Sequence, residues 1–299
     1  MLQFTFIVLM SLRVVFYNCE NLLFSSGHTY EKLNNLTRVI VAAGEGRPPA
    51  IIGLAEVGND SIMLRWTLHT PLAKWHYRYL ITDSEDVRGI NVALMYQPDD
   101  FRLLGSESLR VVLPKSMRPT RDILHAWGRV INGDTLDVIV CHLPSRYGGK
   151  KETDMARHIA HTHLRTMMDS VCAIRQHPNL IVMGDMNDVP DSKMMQSDFA
   201  GYTNLMLPLQ KLLLRGKLDY GSHKYAGTWG FLDHFIVNEC MTDTMRRCRV
   251  GNARSFCLPF MLTKDNTHLG VRPKRSRYGM KYEGGYSDHL PICLDFSSF

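Results

Sequence analysis

The stretch Leu180-Ile-Val-Met-Gly-Asp-Met-Asn-Asp188 joins a short apolar run to a group of acidic and amide side chains. A short apolar run that ends at a glycine predicts a buried strand. Asp185 and Asn187 come directly after this strand. Because charged groups are seldom buried without a partner, carboxylates at the end of a buried strand are costly, and this placement is typical of a functional edge of a sheet.

The same arrangement recurs along the chain. The other polar residues that follow, precede or lie within predicted buried strands are Asn18, Glu56, His142, Asp233, Asp288 and His289. Each of them alone is best interpreted as a turn or capping residue. Together they predict one polar edge where the ends of several strands meet. Carboxylates, amides and two histidines without paired cysteines suit a hard cation such as Mg²⁺, with Mn²⁺ as the alternative.

Hydrophobic periodicity and turn residues predict strands and helices along the whole chain. The predicted helices are residues 30–43, 59–70 and 151–176. The predicted strands are 12–17, 50–55, 77–81, 90–96, 101–104, 107–113, 136–141, 180–183, 231–237 and 291–296, with a hairpin turn at Asn132-Gly133. Strands adjacent in sequence, with helices between them, favour mixed sheets flanked by helices. No repeat or linker divides the chain, which predicts a single domain over residues 1–299, with 1–11 as a candidate N-terminal extension.

The composition excludes several classes of protein. Of the 299 residues, 45% are hydrophobic and 21% are charged, which rules out a disordered chain, a collagen-like repeat and a coiled coil. The net charge of +6 permits a polyanionic partner but does not require one.

The cysteines and the N-terminal residues indicate in which cellular compartment the protein is expected. Seven cysteines without a CxxC pair speak against a disulfide framework and favour a reducing, cytoplasmic compartment. The apolar run Phe4-Thr-Phe-Ile-Val-Leu-Met10 has no basic residue ahead of it and no small-residue cleavage site. Arg13 makes the run too short for a membrane span. Export, to the periplasm or outside the cell, is the alternative to a cytoplasmic location.

Six short segments in this order resemble the endonuclease/exonuclease/phosphatase family, which includes pancreatic-type deoxyribonucleases, apurinic endonucleases and neutral sphingomyelinases. The segments are Tyr17-Asn-Cys-Glu-Asn-Leu22, Leu54-Ala-Glu-Val57, Cys141-His-Leu-Pro-Ser145, Gly184-Asp-Met-Asn-Asp188, Phe231-Leu-Asp-His-Phe-Ile236 and Ser287-Asp-His-Leu-Pro291. Residues 88–96, 142–149 and 284–289 further resemble a bacterial, largely uncharacterised branch of that family. The resemblance covers nearly the whole chain. It implies an α/β (α+β) fold, a four-layer sandwich of two packed mixed β-sheets flanked by helices, and the hydrolysis of phosphoester bonds.

The resemblance also implies catalytic roles for His142, Asp185, Asn187, Asp233 and His289. Asp233 is expected to orient the imidazole of His289, which contacts the phosphate or the attacking water. Asn187 is expected to donate to a non-bridging phosphate oxygen. Asp83, at the end of a predicted strand, is the candidate carboxylate partner of His142.

By the same resemblance, Glu56 is the main metal carboxylate, with Asn18, Glu20 and Asp288 around it. Mg²⁺ keeps several waters, so one or two protein carboxylates are enough. The alternative for Glu56 is an acidic residue at a helix N-terminus. Three histidines on the predicted long helix have no further aligned ligand and are interpreted as a solvated face: His158, His161 and His163.

Four further residues are candidates for binding substrate. Arg88 and Arg146 lie beside the matching segments and could clamp a phosphate, the alternative being two solvated arginines. Tyr225 and Trp229 could stack on a base or cover a sugar, the alternative being packing at the edge of the core. The basic stretch 272–277 is interpreted as a wall that faces phosphate.

The sequence therefore predicts a Mg²⁺-dependent phosphoesterase that hydrolyses phosphodiester bonds, in the first place a nuclease acting on DNA or RNA. Whether Asp185 or the pair of His289 and Asp233 activates the water is left open. One alternative is a phosphatase, phospholipase or sphingomyelinase-like activity on a small or lipid phosphoester. The other is a non-catalytic binding protein on the same scaffold, and the oligomeric state is open.

Overall fold

The computed structural model describes residues 11–23, 27–145, 150–279 and 281–298. The α-helices are α1 Thr29–Ala43, α2 Asp60–His69, α3 Lys150–Ile174, α4 Lys193–Asp198 and α5 Leu207–Leu214. Short 3₁₀ helices cover Pro71–Trp75, Glu239–Thr242 and Pro259–Met261. The three predicted helices are thus confirmed as α1, α2 and α3. Within the described ranges, none of these helices is both long enough and apolar enough to cross a membrane.

The β-strands are β1 Ser11–Leu22, β2 Ile51–Val57, β3 Arg78–Ile81, β4 Asn91–Tyr96, β5 Phe101–Leu109, β6 Ile123–Val130, β7 Thr135–His142, β8 Leu180–Asp185, β9 Thr203–Asn204, β10 His223–Tyr225, β11 Thr228–Gly230, β12 Asp233–Val237, β13 Cys248–Ser255, β14 Leu262–Lys264, β15 Val271–Pro273, β16 Arg277–Tyr278, β17 Lys281–Tyr282 and β18 Ile292–Ser298.

Twelve of these strands form two mixed six-stranded sheets. The first has the order β13-β18-β1-β2-β4-β3, and the second has the order β5-β6-β7-β8-β12-β9. In each sheet the central pair is parallel, β1 with β2 and β7 with β8, and the remaining pairs are antiparallel. The prediction of two mixed sheets flanked by helices is therefore confirmed.

The two sheets pack face to face because their central strands are apolar on both sides. Successive side chains point to opposite faces of a strand. Val14 and Phe16 of β1 accordingly share one core with Met183 and Phe235 of the second sheet. The alternate residues face outward and pack on helices, so Val15 and its equivalents lie against α1 and α2. On the other side, the outward residues of β7, β8 and β12 pack against α3. The result is a four-layer sandwich.

The sheets differ from the predictions in several places, and the eight-residue strands β6 and β13 are missing from the predicted set. Residues 101–104 and 107–113 are expected to be separate strands, but they contribute to one strand, β5, whose register against β6 shifts between Leu103 and Gly105. Such a bulge interrupts the alternation of side chains, which explains the false break. Residues 110–113 are not in a strand. The Asn132-Gly133 hairpin is confirmed, with Gly133 at a φ of +86°.

The histidines of α3 are only partly solvated. His158 is exposed, but the side chain of His161 is fully buried, so the solvated interpretation is wrong for His161. Its Nδ1 lies 2.8 Å from Asp198 Oδ2. This partner lies 37 residues after His161 in the sequence, on α4, so no helical pattern within α3 reveals it.

His234, the buried residue next to Asp233, is held in its neutral form by burial and by two hydrogen bonds. The Asn204 side-chain amide, which is oriented by accepting from the Met206 N–H, donates to His234 Nδ1 at 3.0 Å. His234 Nε2 in turn donates to the Phe231 carbonyl at 3.1 Å. Both contacts suit a neutral ring. Burial lowers the pKa of His234 to about 4.

This pKa predicts that His234 makes the protein less stable in acid. The unfolded histidine has a pKa of about 6.5, so below that pH the unfolded state binds a proton that the folded state does not bind. Between pH 7.5 and pH 5, His234 should lower the free energy of unfolding by about 2 kcal/mol. Urea unfolding of the wild type and of His234→Gln at both pH values measures this. An equal loss of stability in both proteins would contradict the prediction.

Candidate active site

The register of the second sheet places three of the predicted site residues in one row. His142 at the end of β7 pairs with Asp185 at the end of β8, and Asp185 pairs with Asp233 at the start of β12. All three side chains are buried. Because paired residues on neighbouring strands point to the same side, the row forms one polar surface at the end of an apolar sheet.

The first sheet supplies the facing residues. Asn18 on β1 and Glu56 on β2 lie on neighbouring parallel strands, where Asn18 pairs with Ala55. The Asn18 side-chain amide donates to Asp185 Oδ2 at 3.0 Å and so joins the two sheets. Asn18 Oδ1 accepts from the Glu20 N–H at 2.9 Å, which fixes the orientation of the amide.

Three of the site residues have a left-handed backbone. Glu20, Glu56 and Asn187 have φ values of +48°, +59° and +51°. Non-glycine residues rarely adopt this conformation, and it costs on the order of 1–3 kcal/mol when the surroundings impose it. The register shifts between Asn18 and Leu22 in β1, and between Ala55 and Val57 in β2. These bulges turn the carboxylates out of the regular alternation of the strands.

His289 and Asp233 form a buried pair, as the sequence predicts. His289 Nδ1 lies 2.7 Å from Asp233 Oδ2, and its Nε2 lies 3.7 Å from Asp185 Oδ2. Burial lowers the pKa of His289, but the charges of Asp233 and Asp185 and the hydrogen bond to Asp233 outweigh burial and raise the pKa well above its usual value. The ring is therefore an imidazolium whose Nε2 faces Asp185.

Asp185 lies between two imidazoles. Its Oδ2 is 3.6 Å from His142 Nε2 on one side and faces His289 on the other. Its Oδ1 accepts from the Asn187 N–H at 2.9 Å. Burial, with a further contribution from the charge of Asp233, raises the pKa of Asp185 to about 7. A carboxyl with this pKa can exchange a proton near neutral pH.

The structure places His142 against carboxylates other than Asp83. His142 Nε2 is 3.9 Å from Glu56 Oε1 as well as close to Asp185, and its buried Nδ1 has no hydrogen-bond partner. Asp83 is exposed, so its assignment as the partner of His142 is wrong. Burial and the charges of Arg121 and Arg88 hold the pKa of His142 well below its usual value. This second imidazole is neutral.

Asn187 uses part of its amide within the protein. Its Nδ2 donates to the carbonyl of Leu143 at 2.9 Å. An amide nitrogen carries two hydrogens, so one donor remains for a phosphate oxygen. Its role in catalysis stays a prediction.

The four residues assigned to the metal differ in availability. Glu56 Oε2 accepts from the Asn21 N–H at 2.7 Å, and its Oε1 is only loosely contacted by Arg88 Nη1 at 3.5 Å. Asp288 accepts from Arg275 through Oδ2. Both oxygens of Glu20 are engaged by Arg275 and the residue after it. Glu20 as a metal ligand stays a prediction that this geometry does not favour.

The donor chemistry of the site fits a hard divalent cation. Glu56, Asp288 and Asn18 present carboxylate and amide oxygens, the ligands that Mg²⁺ takes in proteins. Beside them, ligand atoms of Asp185, Asp233 and His289 lie within 4.8 Å of one another, a spacing that could also hold an ion. Asp233 Oδ1 is buried there without a hydrogen-bond partner.

The predicted substrate-binding residues are distributed unevenly. Arg88 contacts Glu56 and lies at the site, whereas Arg146 lies outside the described residues. Tyr225 is 77% exposed on β10. Trp229 is half-buried, with its ring 5.2 Å from that of Tyr220, as expected for packing at the edge of the core.

Two site residues have no signal in the sequence. The ring of His223 lies 4.6 Å from the ring of His289, and β10 approaches the Asp288–His289 loop through an isolated bridge between these two histidines. Burial lowers the pKa of His223 to about 4. Buried Arg121 donates to the carbonyls of His142 and Leu143 and so supports the end of β7. Neither residue belongs to a recognisable motif, so only the fold reveals them.

One of the comparisons with known proteins identifies a family. A model described as the endonuclease/exonuclease/phosphatase family matches residues 16–297. No curated protein matches the sequence.

Several solved structures share the fold. The catalytic domain of human Nocturnin, solved with a bound sulfate anion, is 18% identical, with a TM-score of 0.62, over 96% of this chain and 94% of that domain. D. rerio TDP2, solved with a single-strand DNA product, is 16% identical, with a TM-score of 0.61, over 96% of this chain and 98% of its own. A mannosyl-6-phosphatase of Bacteroides thetaiotaomicron is 16% identical, with a TM-score of 0.61, over 95% of this chain and 99% of its own.

The geometry of the buried pair predicts how the pKa of His289 depends on Asp233. Replacing Asp233 with Asn removes a negative charge 2.7 Å from His289 Nδ1. The pKa of His289 should fall by a pH unit or more, since an adjacent opposite charge shifts a pKa by about 1–3 units. Long-range ¹H–¹⁵N NMR spectra of the imidazole measure this. In the control Asp198→Asn, only the pKa values of His158 and His161 should change. An unchanged pKa of His289 in Asp233→Asn would refute the pairing of Asp233 with His289.

Proposed function

The chain belongs to the endonuclease/exonuclease/phosphatase family, and we propose that it is a metal-dependent phosphodiesterase whose first substrate class is nucleic acid. Members of this family are hydrolases that act on phosphoester bonds. The observation that carries the proposal is Asp185, a carboxyl with a raised pKa, between the charged imidazole of His289 and the neutral imidazole of His142. This arrangement suits the transfer of a proton beside an anionic substrate.

Mg²⁺ is the proposed ion, with Mn²⁺ as the alternative, and Glu56, Asp288 and Asn18 would hold it. When bound, such an ion polarises the phosphoryl oxygen and stabilises charge on the leaving oxygen. Glu56 is suited to the main ligand role because its Oε1 has only long contacts, at 3.5 Å to Arg88 Nη1 and at 3.9 Å to His142 Nε2.

The chain's own groups divide the remaining work. Asp185, with a pKa near 7, accepts the proton of the attacking water. His289, kept charged by Asp233, donates from Nε2 to a phosphate oxygen and stabilises the charge that develops in the transition state. Neutral His142 contributes a hydrogen bond rather than a fixed charge. Asn187 donates its remaining amide hydrogen to the same phosphate.

A basic surface beside the site supports a polyanionic substrate. We call it the hairpin surface: it is formed by the hairpins β14–β15 and β16–β17 and carries Lys264, Arg272, Arg277 and Lys281. Arg272 lies over the ring of exposed Tyr278 at 5.6 Å. Cations combined with exposed aromatic rings suit single-stranded nucleic acid, whose phosphates and bases they contact separately.

The family neighbours leave the substrate to be decided by experiment. Nocturnin with its sulfate and TDP2 with its single-strand DNA product support an anion site and a nucleic-acid substrate on this fold. The mannosyl-6-phosphatase supports a small phosphomonoester as the alternative. A lipid phosphoester and a non-catalytic binding role are the remaining alternatives.

The first test is hydrolysis of bis-p-nitrophenyl phosphate with Mg²⁺ and with EDTA. We expect turnover with Mg²⁺, none with EDTA, and about a 10²–10³-fold loss in His289→Ala, as is usual when a donor that stabilises transition-state charge is removed. His158→Gln is the matched control, because that histidine is exposed on α3. If the wild type hydrolyses no phosphodiester of any class, the proposal is refuted. Full turnover in His289→Ala would refute the mechanism alone.

The second test concerns the substrate class. If the hairpin surface contacts phosphates, Arg272→Ala and Arg277→Ala should each weaken binding of single-stranded DNA and reduce the slope of log affinity against log salt by about 0.7. Turnover of the small diester should not change. Arg102→Ala is the control, since this exposed arginine lies on β5 at the edge of the second sheet. Unchanged DNA binding in both hairpin variants would favour a small or lipid phosphoester instead.

A further inference from the structure

Arg275 lies between two of the carboxylates that the sequence assigns to a metal. Its Nε donates to Glu20 Oε1 at 2.8 Å, and its Nη2 donates to Asp288 Oδ2 at 3.0 Å. Glu20 and Arg275 are separated by 255 residues in sequence, so the contact depends on the complete fold. One guanidinium therefore occupies the position between two acidic side chains where a shared cation would bind.

The rest of the Glu20 carboxylate is also engaged. Its Oε2 accepts from the backbone N–H of Ser276 at 2.6 Å and from the Ser276 hydroxyl at 2.8 Å. Buried Lys32 donates to the Glu20 carbonyl and, at 2.8 Å, to the same hydroxyl. Each Glu20 oxygen thus has its hydrogen-bond donors within the protein, and a metal ion would have to displace them.

The electrostatics of this cluster require a cation. Two carboxylates so close together are stable in the ionised form only beside positive charge. A guanidinium suits the position because its planar N–H groups can donate to two acceptors at once.

We propose that Arg275 is a built-in cation that takes the place of a divalent ion between Glu20 and Asp288, so that the site binds a single ion at Glu56. This inference rests on the proposed function for the ion at Glu56. The cation position of Arg275 itself rests only on the contacts described above.

Counting bound Mn²⁺ tests this proposal independently of activity. Free Mn²⁺ in equilibrium with the full chain is measured by electron paramagnetic resonance for the wild type, Arg275→Ala, Glu20→Gln and the double variant. The wild type and Glu20→Gln should bind one ion each, because Glu20 is closed to metal while Arg275 is present. Arg275→Ala should bind one ion more than the wild type, and the double variant should lose that additional ion.

A matched control is available at the far edge of the first sheet. Arg254 also bridges two carboxylates, Asp295 at 2.9 Å and Glu45 at 3.1 Å, but Arg13 contacts the same two groups. Arg254→Ala should therefore bind no additional ion. In Arg275→Ala, added methylguanidinium should displace the additional Mn²⁺, because it restores the missing group.

The outcomes separate this proposal from the proposed function. Loss of an ion in Glu20→Gln alone, or no additional ion in Arg275→Ala, would overturn the role of Arg275 and leave phosphodiesterase activity of the wild type untouched. Absence of activity in a wild type whose ion count still rises in Arg275→Ala would refute the function and retain the cation position. If Arg275→Ala does not fold, the number of Mn²⁺ ions bound by Glu20→Gln and by Arg275→Gln decides the proposal. It requires one ion in Glu20→Gln and one ion more than the wild type in Arg275→Gln.

Discussion

The hydrogen bond from Asn18 to Asp185 is the interaction on which the site depends, because it is where the two sheets meet through polar groups. A buried carboxylate loses its hydration, and that loss is offset only by donors that the fold brings to it. The donors of Asp185 are the Asn18 amide, from β1 of one sheet, and the Asn187 N–H, two residues after the end of β8 of the other. The face-to-face register of the sheets and the geometry of the site therefore fix one another.

The site is a set of charges that neutralise each other in pairs. Asp233 stabilises the charged ring of His289, and Arg275 stabilises Glu20 and Asp288. Such buried pairs add little net stability, because the free energy lost when the charges leave water offsets most of their attraction. Together with the left-handed backbone of Glu56, they indicate that the apolar core between the sheets stabilises an arrangement that is unfavourable by itself.

The sequence predicts what depends on local pattern. The buried strands and the polar residues at their ends follow from alternating hydrophobicity and from burial cost, so the row at Asp185 can be predicted from the amino-acid sequence. The contacts of His223 and Arg275 cannot, because each residue reaches the site from a distant part of the chain. Arg275 belongs to the stretch predicted to face phosphate, but its guanidinium binds the carboxylates of Glu20 and Asp288. Strands of two or three residues, such as β16, are too short to show periodicity. The burial of His161 likewise depends on α4, which no pattern within α3 reveals.

The reaction and the choice of substrate have separate physical origins in this fold. The row of acids and imidazoles lies at the ends of central strands, where the core fixes the backbone on both sides. The hairpins β14–β15 and β16–β17 belong to neither six-stranded sheet, so their exposed residues, such as Lys264 and Lys281, can change without disturbing the core. Arg275 lies between these two parts, since it follows β15 in the chain and binds carboxylates of the site. The segment between the two hairpins thereby contributes a positive charge to the active site. It connects the hairpin surface, which is proposed to bind substrate, with the carboxylates proposed to take part in catalysis.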